Sequence, residues 1–320
     1  MRPSSRGSLR TKVLIMDDWD GIAGRSRAVA SLREYADVHV LGYASEAEFL
    51  EVARDSEVLV PIRERRPITE ELLAQLPQLR HIAQTGGGVA HIDMRAAEAA
   101  GVLVTRTGGA SSHSVAELAV ALMIASRRRM SEAMQSLKNG EWERSLGHQL
   151  AGSVMGVVGF GATGQKVANI TRAIGMDVIV CSRRADDGTI GGFEAVSLQE
   201  LCSRADVVSL HAELSDQTRG MISRNELRAI GTGGLLVNTA RADLVVERDL
   251  LDALNDGELG AAALDVFHAE PVKAGDPLVA HPSVTSTPHL GWRTEESMDA
   301  YLSGAVNNIL NWMQERTNES

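Results

Sequence analysis

Val154-Met155-Gly156-Val157-Val158-Gly159-Phe160-Gly161-Ala162-Thr163-Gly164-Gln165-Lys166-Val167-Ala168-Asn169-Ile170 is the stretch whose reading decides the fold. Val154, Met155, Val157 and Val158 form a short apolar run of strand type, and Val167, Ala168 and Ile170 recur at helical spacing. Between them stand Gly159, Gly161 and Gly164, a Gly-x-Gly-x-x-Gly turn. Gly159 allows the tight turn, Gly161 lets backbone amides approach a pyrophosphate, and Gly164 lets the helix pack closely on the strand. Phe160, Ala162 and Thr163 fill the remaining loop positions. A pyrophosphate would rest at the helix N-terminus, where free N–H groups and the dipole favour negative charge. Glycine-rich turns are common; the flanking strand and helix make this one a dinucleotide site.

Outward from this stretch, strands alternate with helices in both directions. Before it, strands are expected at Lys12–Met16, Val38–Gly42, Glu57–Ile62, His81–Gln84 and Val102–Thr105. Helices are expected at Ala28–Tyr35, Glu46–Ala53 and from Glu70 to Leu76, the last capped by Thr69 and ended by Pro77. Ser111–Arg129 reads as one long helix with a Ser114–Glu117 capping box and an apolar face of Val115, Leu118, Ala119, Leu122 and Met123. Arg127, Arg128 and Arg129 suit its C-terminus. Lys138–Gln149 reads as a polar bridge. Beyond the glycines, strands are expected at Val178–Cys181, Val207–Leu210, Leu235–Asn238, Ala262–Val266 and Ser283–Ser286. Helices fall at Leu198–Cys202, Arg224–Ala229, Glu247–Asn255 and Glu295–Gln314. The pattern specifies an α/β protein of two Rossmann-like or flavodoxin-like parallel-sheet domains with a cleft between them.

Composition sets the class. The 320 residues are 44% hydrophobic, which is ample for sizeable cores, and the net charge of −10 speaks against nucleic acid or an anionic membrane as partner. No apolar run approaches the length of a membrane span. Cys181 and Cys202 read as buried free thiols in a reducing cytosol, hence a cytoplasmic protein. Met1–Arg10 lacks the apolar core of a secretory signal and is expected to be a disordered tail.

Ligands of open α/β sheets bind beyond the carboxyl ends of the strands. Arg241, Asp265, Glu270 and His289 fall at such ends. An arginine can hold a planar carboxylate bidentately, and a histidine beside a carboxylate can carry a proton near neutral pH. About 20 residues beyond the glycines, where an acidic residue would accept bonds from a ribose 2′-OH, the chain has Ser182, Arg183 and Arg184. A hydroxyl and guanidinium groups there suit a 2′-phosphate, so NADP(H) is expected over NAD(H), with Asp186 and Asp187 blunting the positive field.

These motifs resemble those of the D-2-hydroxyacid dehydrogenases, the group that includes glyoxylate/hydroxypyruvate reductases and phosphoglycerate dehydrogenases. Beside Gly159–Gly164, the resemblance rests on Leu210-His211 with Thr218-Arg219-Gly220, Val237-Asn238-Thr239-Ala240-Arg241, Ala263-Leu264-Asp265-Val266-Phe267 with Glu270-Pro271, and Thr287-Pro288-His289-Leu290-Gly291. It implies hydride transfer between NAD(P)H and a small 2-oxo or 2-hydroxy acid. Arg241 would bind the substrate carboxylate and carbonyl oxygen, His289 would be the general acid/base, and Glu270 its partner. Asp265 would contact the nicotinamide carboxamide, and His211, Thr239 and Ala240 would line the coenzyme site. Backbone amides of Gly87 and Gly88 would grip the substrate carboxylate. The resemblance also implies a homodimer, with the Ser111–Arg129 helix in its interface, and a discontinuous substrate domain of residues 1–107 plus 291–320 around a coenzyme domain of 108–290. No metal and no regulatory domain are expected. A dinucleotide-sensing, corepressor-like binding protein would share the fold. The chain departs from the pattern at Ala90, where an aspartate is usual, at Ala242, where a glycine is usual, and at Trp292 and Arg293, which are expected to reshape the pocket mouth.

Overall fold

The computed structural model describes residues 10–185 and 188–319. The expected tail up to Leu9, and Asp186 with Asp187, lie outside them. The chain divides into two compact units, Met1–Ser111 with Arg293–Ser320, and Ser112–Trp292.

The first unit runs β1 (Lys12–Met16), α1 (Arg27–Leu32), β2 (Asp37–Val40), α2 (Glu46–Ala53), β3 (Val58–Pro61), α3 (Glu70–Leu73), β4 (His81–Gln84), α4 (Met94–Ala99) and β5 (Leu103–Arg106). Its five parallel strands lie in the order β2-β1-β3-β4-β5. Every residue of β3 and β4 is buried, while β2 and β5 at the edges alternate or face outward. A central parallel strand is covered on both faces and so reads as a continuous apolar run. Leu14, Met16, Phe49, Leu59 and Ile82 share one core cluster of this unit. Caps fix the helix starts: Ser45 and Glu48 close a capping box on α2, and Asp93 accepts from the Arg95 and Ala96 amides at the head of α4. The sequence reading passed over α4.

The second unit runs α5 (Ser112–Arg127), α6 (Met130–Lys138), β6 (Val154–Val158), α7 (Ala162–Ile174), β7 (Asp177–Cys181), β8 (Thr189–Ile190), β9 (Phe193–Ala195), α8 (Leu198–Arg204), β10 (Val207–Leu210), α9 (Arg224–Ile230), β11 (Leu235–Asn238), α10 (Glu247–Asn255), β12 (Ala261–Leu264) and β13 (Val284–Ser286). The strand order is β13-β12-β11-β10-β6-β7-β9-β8, parallel except for the β8–β9 hairpin at one edge. The order reverses between β6 and β10, which places the glycine-rich turn after β6 at a topological switch point. One face of the sheet buries Ala119 and Met123 of α5 and Val167 of α7; another cluster gathers Leu201, Leu227 and Leu250 from α8, α9 and α10. The last helix, α11 (Glu295–Glu319), belongs to the first unit.

Three expectations change. Helix α5 starts at Ser112, so Ser114 lies inside it rather than at its cap. Its apolar face is core, not interface: Ala119, Leu122 and Met123 are 2%, 4% and 1% exposed within the second unit. The bridge expected from Lys138 is preceded by a separate helix, α6, which the polar composition obscured. Arg127 also does more than balance a dipole, because its guanidinium donates to the Gly233 and Asp206 carbonyls at 2.8 and 2.7 Å and ties α5 to the starts of two strands. Among the described residues no helix is long and apolar enough to cross a membrane.

Candidate active site

In the second unit the glycines separate by task. A Cβ on Gly159 (φ +94°) would lie 2.5 Å from the Ala212 nitrogen, and one on Gly164 would lie 2.0 Å from the Gly159 carbonyl oxygen. Packing therefore demands both. A Cβ on Gly161 would meet nothing within 4 Å. The open space beside Gly161 faces the head of α7, whose first-turn amides lack intrahelical acceptors. That combination fits a dinucleotide pyrophosphate. Phe160 is buried edge-on against Phe193, and its carbonyl accepts from Gln165 and Arg184.

The strand ends around this loop carry the other expected residues. After β7, Ser182 Oγ accepts from the Arg184 amide at 3.3 Å, and Arg184 reaches back to the Phe160 carbonyl at 2.9 Å. Arg183 instead meets the exposed Gln217 side chain at 3.2 Å. After β10, His211 shares a hydrogen bond with Ser209 Oγ at 2.9 Å, and burial pushes its ring down to about 4. A neutral His211 thus walls the turn at Gly159. After β11, the buried Asn238 accepts from the Ala240 amide and donates to the Arg241 carbonyl. This side-chain turn sets Arg241 at the start of a 3₁₀ turn over Ala242–Leu244, exposed, with its guanidinium donating to the Ala240 carbonyl at 2.7 Å. Thr239 is buried, and its Oγ1 has no hydrogen-bond partner among the described residues.

Between β12 and the segment after β13 lies a histidine–carboxylate pair. His289 Nδ1 is 2.6 Å from Glu270 Oε2, and Glu270 Oε1 accepts from the Phe267 amide at 2.9 Å. With Nδ1 directed to a carboxylate, Nδ1 carries the hydrogen and Nε2 is left to exchange a proton. Partial burial pushes the Glu270 carboxyl up, but the His289 bond, the Phe267 amide and the charges of His289 and Arg241 outweigh it, and the net displacement is downward. Glu270 is therefore a carboxylate at neutral pH, with Arg241 close enough to act on it.

His289 occupies left-handed backbone (φ +52°), uncommon for a residue other than glycine. Asp265 holds it there. One carboxylate oxygen accepts from Thr287 Oγ1 (2.6 Å) and the Leu290 amide (2.7 Å), and the other from the Gly291 amide (2.9 Å). The residue expected at the nicotinamide thus spends its visible bonds on the turn that carries His289. The sequence reading missed Asn238 and Thr287 as supports; an asparagine closing a strand before small residues was the available signal. Trp292, expected at the pocket mouth, closes the second unit half-buried.

Gly87 and Gly88 lie in the first unit, after β4. A Cβ on Gly88 would meet the Glu64 carboxylate at 1.8 Å, and one on Gly86 (φ +120°) would meet the Arg63 guanidinium at 2.1 Å. Ala90 supplies no anchor to this loop, and both ring nitrogens of the adjacent His91 are buried without a partner.

Known proteins share this arrangement of sequence and fold. The family described as D-isomer specific 2-hydroxyacid dehydrogenase, NAD binding domain, matches residues 120–291. A D-3-phosphoglycerate dehydrogenase of Methanocaldococcus jannaschii is 38% identical over 85% of this chain and 53% of its own length. A glyoxylate reductase of Aeropyrum pernix is 35% identical, covering 90% of both chains. The solved phosphoglycerate oxidoreductase of Vibrio cholerae superposes with a TM-score of 0.81 at 33% identity, over 96% of this chain and 99% of its own. The chain thus spans about half the length of the phosphoglycerate dehydrogenase it matches, and most of the glyoxylate reductase.

Proposed function

The chain belongs to the D-isomer specific 2-hydroxyacid dehydrogenases, whose domain here binds a nicotinamide dinucleotide, and from that premise we propose that it reduces a small 2-oxo acid to its D-2-hydroxy acid, or runs the reverse reaction. The observation that carries the reading is the 2.6 Å His289–Glu270 contact with Arg241 acting on the same carboxylate, all at strand ends of the sheet that bears the glycine turn. Bound nicotinamide supplies or takes up the hydride at substrate C2. Arg241 orients the acid by its carboxylate and polarises the carbonyl oxygen. His289 Nε2 delivers a proton to that oxygen in reduction and removes it in oxidation, while Glu270 fixes the ring and stabilises the imidazolium. In the first unit we assign the Gly87 and Gly88 amides to binding a carboxylate. The first unit is read as the substrate domain and the second as the coenzyme domain.

The cofactor is read as NADP(H) rather than NAD(H). The position after β7 holds Ser182 rather than an acidic residue, and of the two arginines beyond it Arg183 meets, among the described residues, an exposed glutamine. The assembly is read as a homodimer. Its surface is moved from α5 to α6 and the arm after it, where Met134, Leu137, Trp142 and Leu146 are 57%, 60%, 76% and 92% exposed. Exposed apolar side chains in such a cluster mark an interaction surface. Sedimentation of the parent and of Trp142→Ser checks it: a dimer that the substitution weakens is expected, and a monomeric parent at micromolar concentration refutes it.

A panel of 2-oxo acids with NADPH and NADH tests the activity. Turnover of at least one short 2-oxo acid is expected; stoichiometric dinucleotide binding without turnover of any would favour the corepressor-like alternative.

A further inference from the structure

Two residues before Glu270, His268 stands between two carboxylates. Its Nε2 is 3.7 Å from Asp243 Oδ1 and its Nδ1 is 3.7 Å from Glu247 Oε1. Asp243 lies two residues after Arg241, in the 3₁₀ turn, and Glu247 opens α10. Arg219 also pairs with Asp243, at 3.0 Å, and the Gly220 amide donates to the Asp243 carbonyl at 2.8 Å. His268 itself rides in the four-residue turn that the Phe267 amide and Glu270 Oε1 close. The ring lies at a cleft whose apolar lining includes Val245, Leu250, Phe267 and Leu278.

We propose that His268 is a positioning residue: as an imidazolium it bridges Asp243 and Glu247, and so locks the turn that carries Glu270 to the turn that carries Arg241. The chemistry of the ring makes the case. At 3.7 Å neither contact is a hydrogen bond, so each acts through charge. Only a cationic ring attracts both carboxylates. The charged groups around it are Asp243 and Glu247, Arg219 through Asp243, and Glu270 on its own turn with Arg241 acting on that glutamate. Arg219 already satisfies part of Asp243, so the bridge that His268 adds runs chiefly between loops. It exists only while the ring is cationic.

The consequence for function rests on the assignment of Arg241 and Glu270 given above. The two groups must stand in a fixed relation for a 2-oxo acid to be held and protonated together, and the bridge supplies a cross-brace that neither strand end provides alone. The acid's KM is therefore expected to rise with pH in the parent, with a smaller change in kcat.

The test uses the whole enzyme with glyoxylate as probe at saturating NADPH. His268→Gln keeps a polar side chain but carries no charge for either acid; its KM at low pH is expected about threefold to fivefold above the parent's, the size of a partly exposed ion pair, and nearly flat with pH. His268→Arg is cationic at every pH and is expected to keep the low KM at high pH, where the parent loses it. Equal KM profiles for parent and His268→Gln, or no rescue by His268→Arg, overturn the proposal. Arg241→Ala separates the two levels: if it leaves KM unchanged the underlying assignment fails, whereas a large rise there with none at His268→Gln condemns the bridge alone. A readout without turnover runs in parallel. The melting temperature of the parent should exceed that of His268→Gln at low pH and converge with it at high pH; a difference constant in pH marks a merely structural histidine.

Discussion

Each unit brings an arginine, a glutamate and a histidine to the carboxyl ends of its strands: Arg63, Glu64 and His91 in the first, Arg241, Glu270 and His289 in the second. In the second, histidine and glutamate meet at 2.6 Å and a backbone amide fixes the far carboxylate oxygen. In the first, both His91 ring nitrogens are buried with no partner, and burial pushes that ring's protonation down, with Glu64 opposing and Arg63 adding. Arg63 and Glu64 pack instead onto Gly86 and Gly88. The same residue types thus form a hydrogen-bonded pair in one place, where we propose proton transfer, and serve loop packing in the other. The difference lies in hydrogen-bond geometry, which composition does not carry.

The largest expected effect tests that contrast directly. His289→Ala should lower kcat by roughly 10²–10⁴-fold, the usual worth of a positioned acid or base, with dinucleotide binding intact. His91→Ala should cost far less and act mainly through KM. Steady-state kinetics on both variants decide it; comparable losses in kcat would break the comparison, and near-normal turnover in His289→Ala would remove the assigned proton donor.

The glycine loops give the next contrast. A methyl at Gly164 would drive into the Gly159 carbonyl, whereas one at Gly161 would meet no protein atom. Gly164→Ala should therefore destabilise the second unit by about 1–3 kcal/mol, as overpacking does, read as a drop in urea midpoint. Gly161→Ala should melt like the parent yet bind NADPH about 10²-fold more weakly, by displacing the pyrophosphate. If Gly161→Ala lost stability and kept affinity, the open space would have no ligand-binding meaning.

These contrasts mark how far the sequence could be read. The parallel strands were legible because β3, β10 and β11 are short, mostly apolar runs between turn residues. Helix α6 was not, because its apolar residues face outward and the rest is polar. The face of α5 was legible as apolar but not as core, since burial by the same chain and burial by a partner leave the same periodicity. Arg241, Glu270 and His289 could be named from their places at strand ends and from the resemblance. The left-handed backbone at His289, and the three bonds from Asp265 that surround it, involve residues more than 20 positions apart and leave no local signature.

A smaller effect concerns pH, and here the two units should behave alike. His81 in the first and His211 in the second are both pushed by burial from 6.5 to about 4. A folded-state value below the unfolded one means that stability is fully present above about pH 6.5 and is lost as pH falls toward 4. The fully buried His81 alone accounts for up to about 3 kcal/mol at the acid end. Urea midpoints at neutral and acid pH check this: His81→Gln should flatten part of the acid loss, and an unchanged slope would show that the ring is not held neutral.

The smallest effect separates the two arginines after β7. Both follow Ser182, but their bonds differ in kind. Arg184 donates to the Phe160 carbonyl inside the glycine turn, a contact within the fold that any dinucleotide would sense equally. Among the described residues Arg183 is held by the exposed Gln217 side chain, so its guanidinium can turn to a 2′-phosphate at little cost. Arg183→Ala should therefore lower kcat/KM for NADPH about tenfold, in line with a lost hydrogen bond to a charged group, and leave NADH nearly unchanged. Arg184→Ala should lower both by a similar factor, because it loosens the turn rather than a phosphate contact. The ratio of the two coenzymes on one accepted 2-oxo acid reads both outcomes. A parent that prefers NADH, or an Arg183→Ala variant with the parent's ratio, would refute the assignment to NADP(H). A ratio shifted by Arg184→Ala and not by Arg183→Ala would exchange the roles given to the two side chains, and would place the 2′-phosphate against the glycine turn instead of beside Gln217.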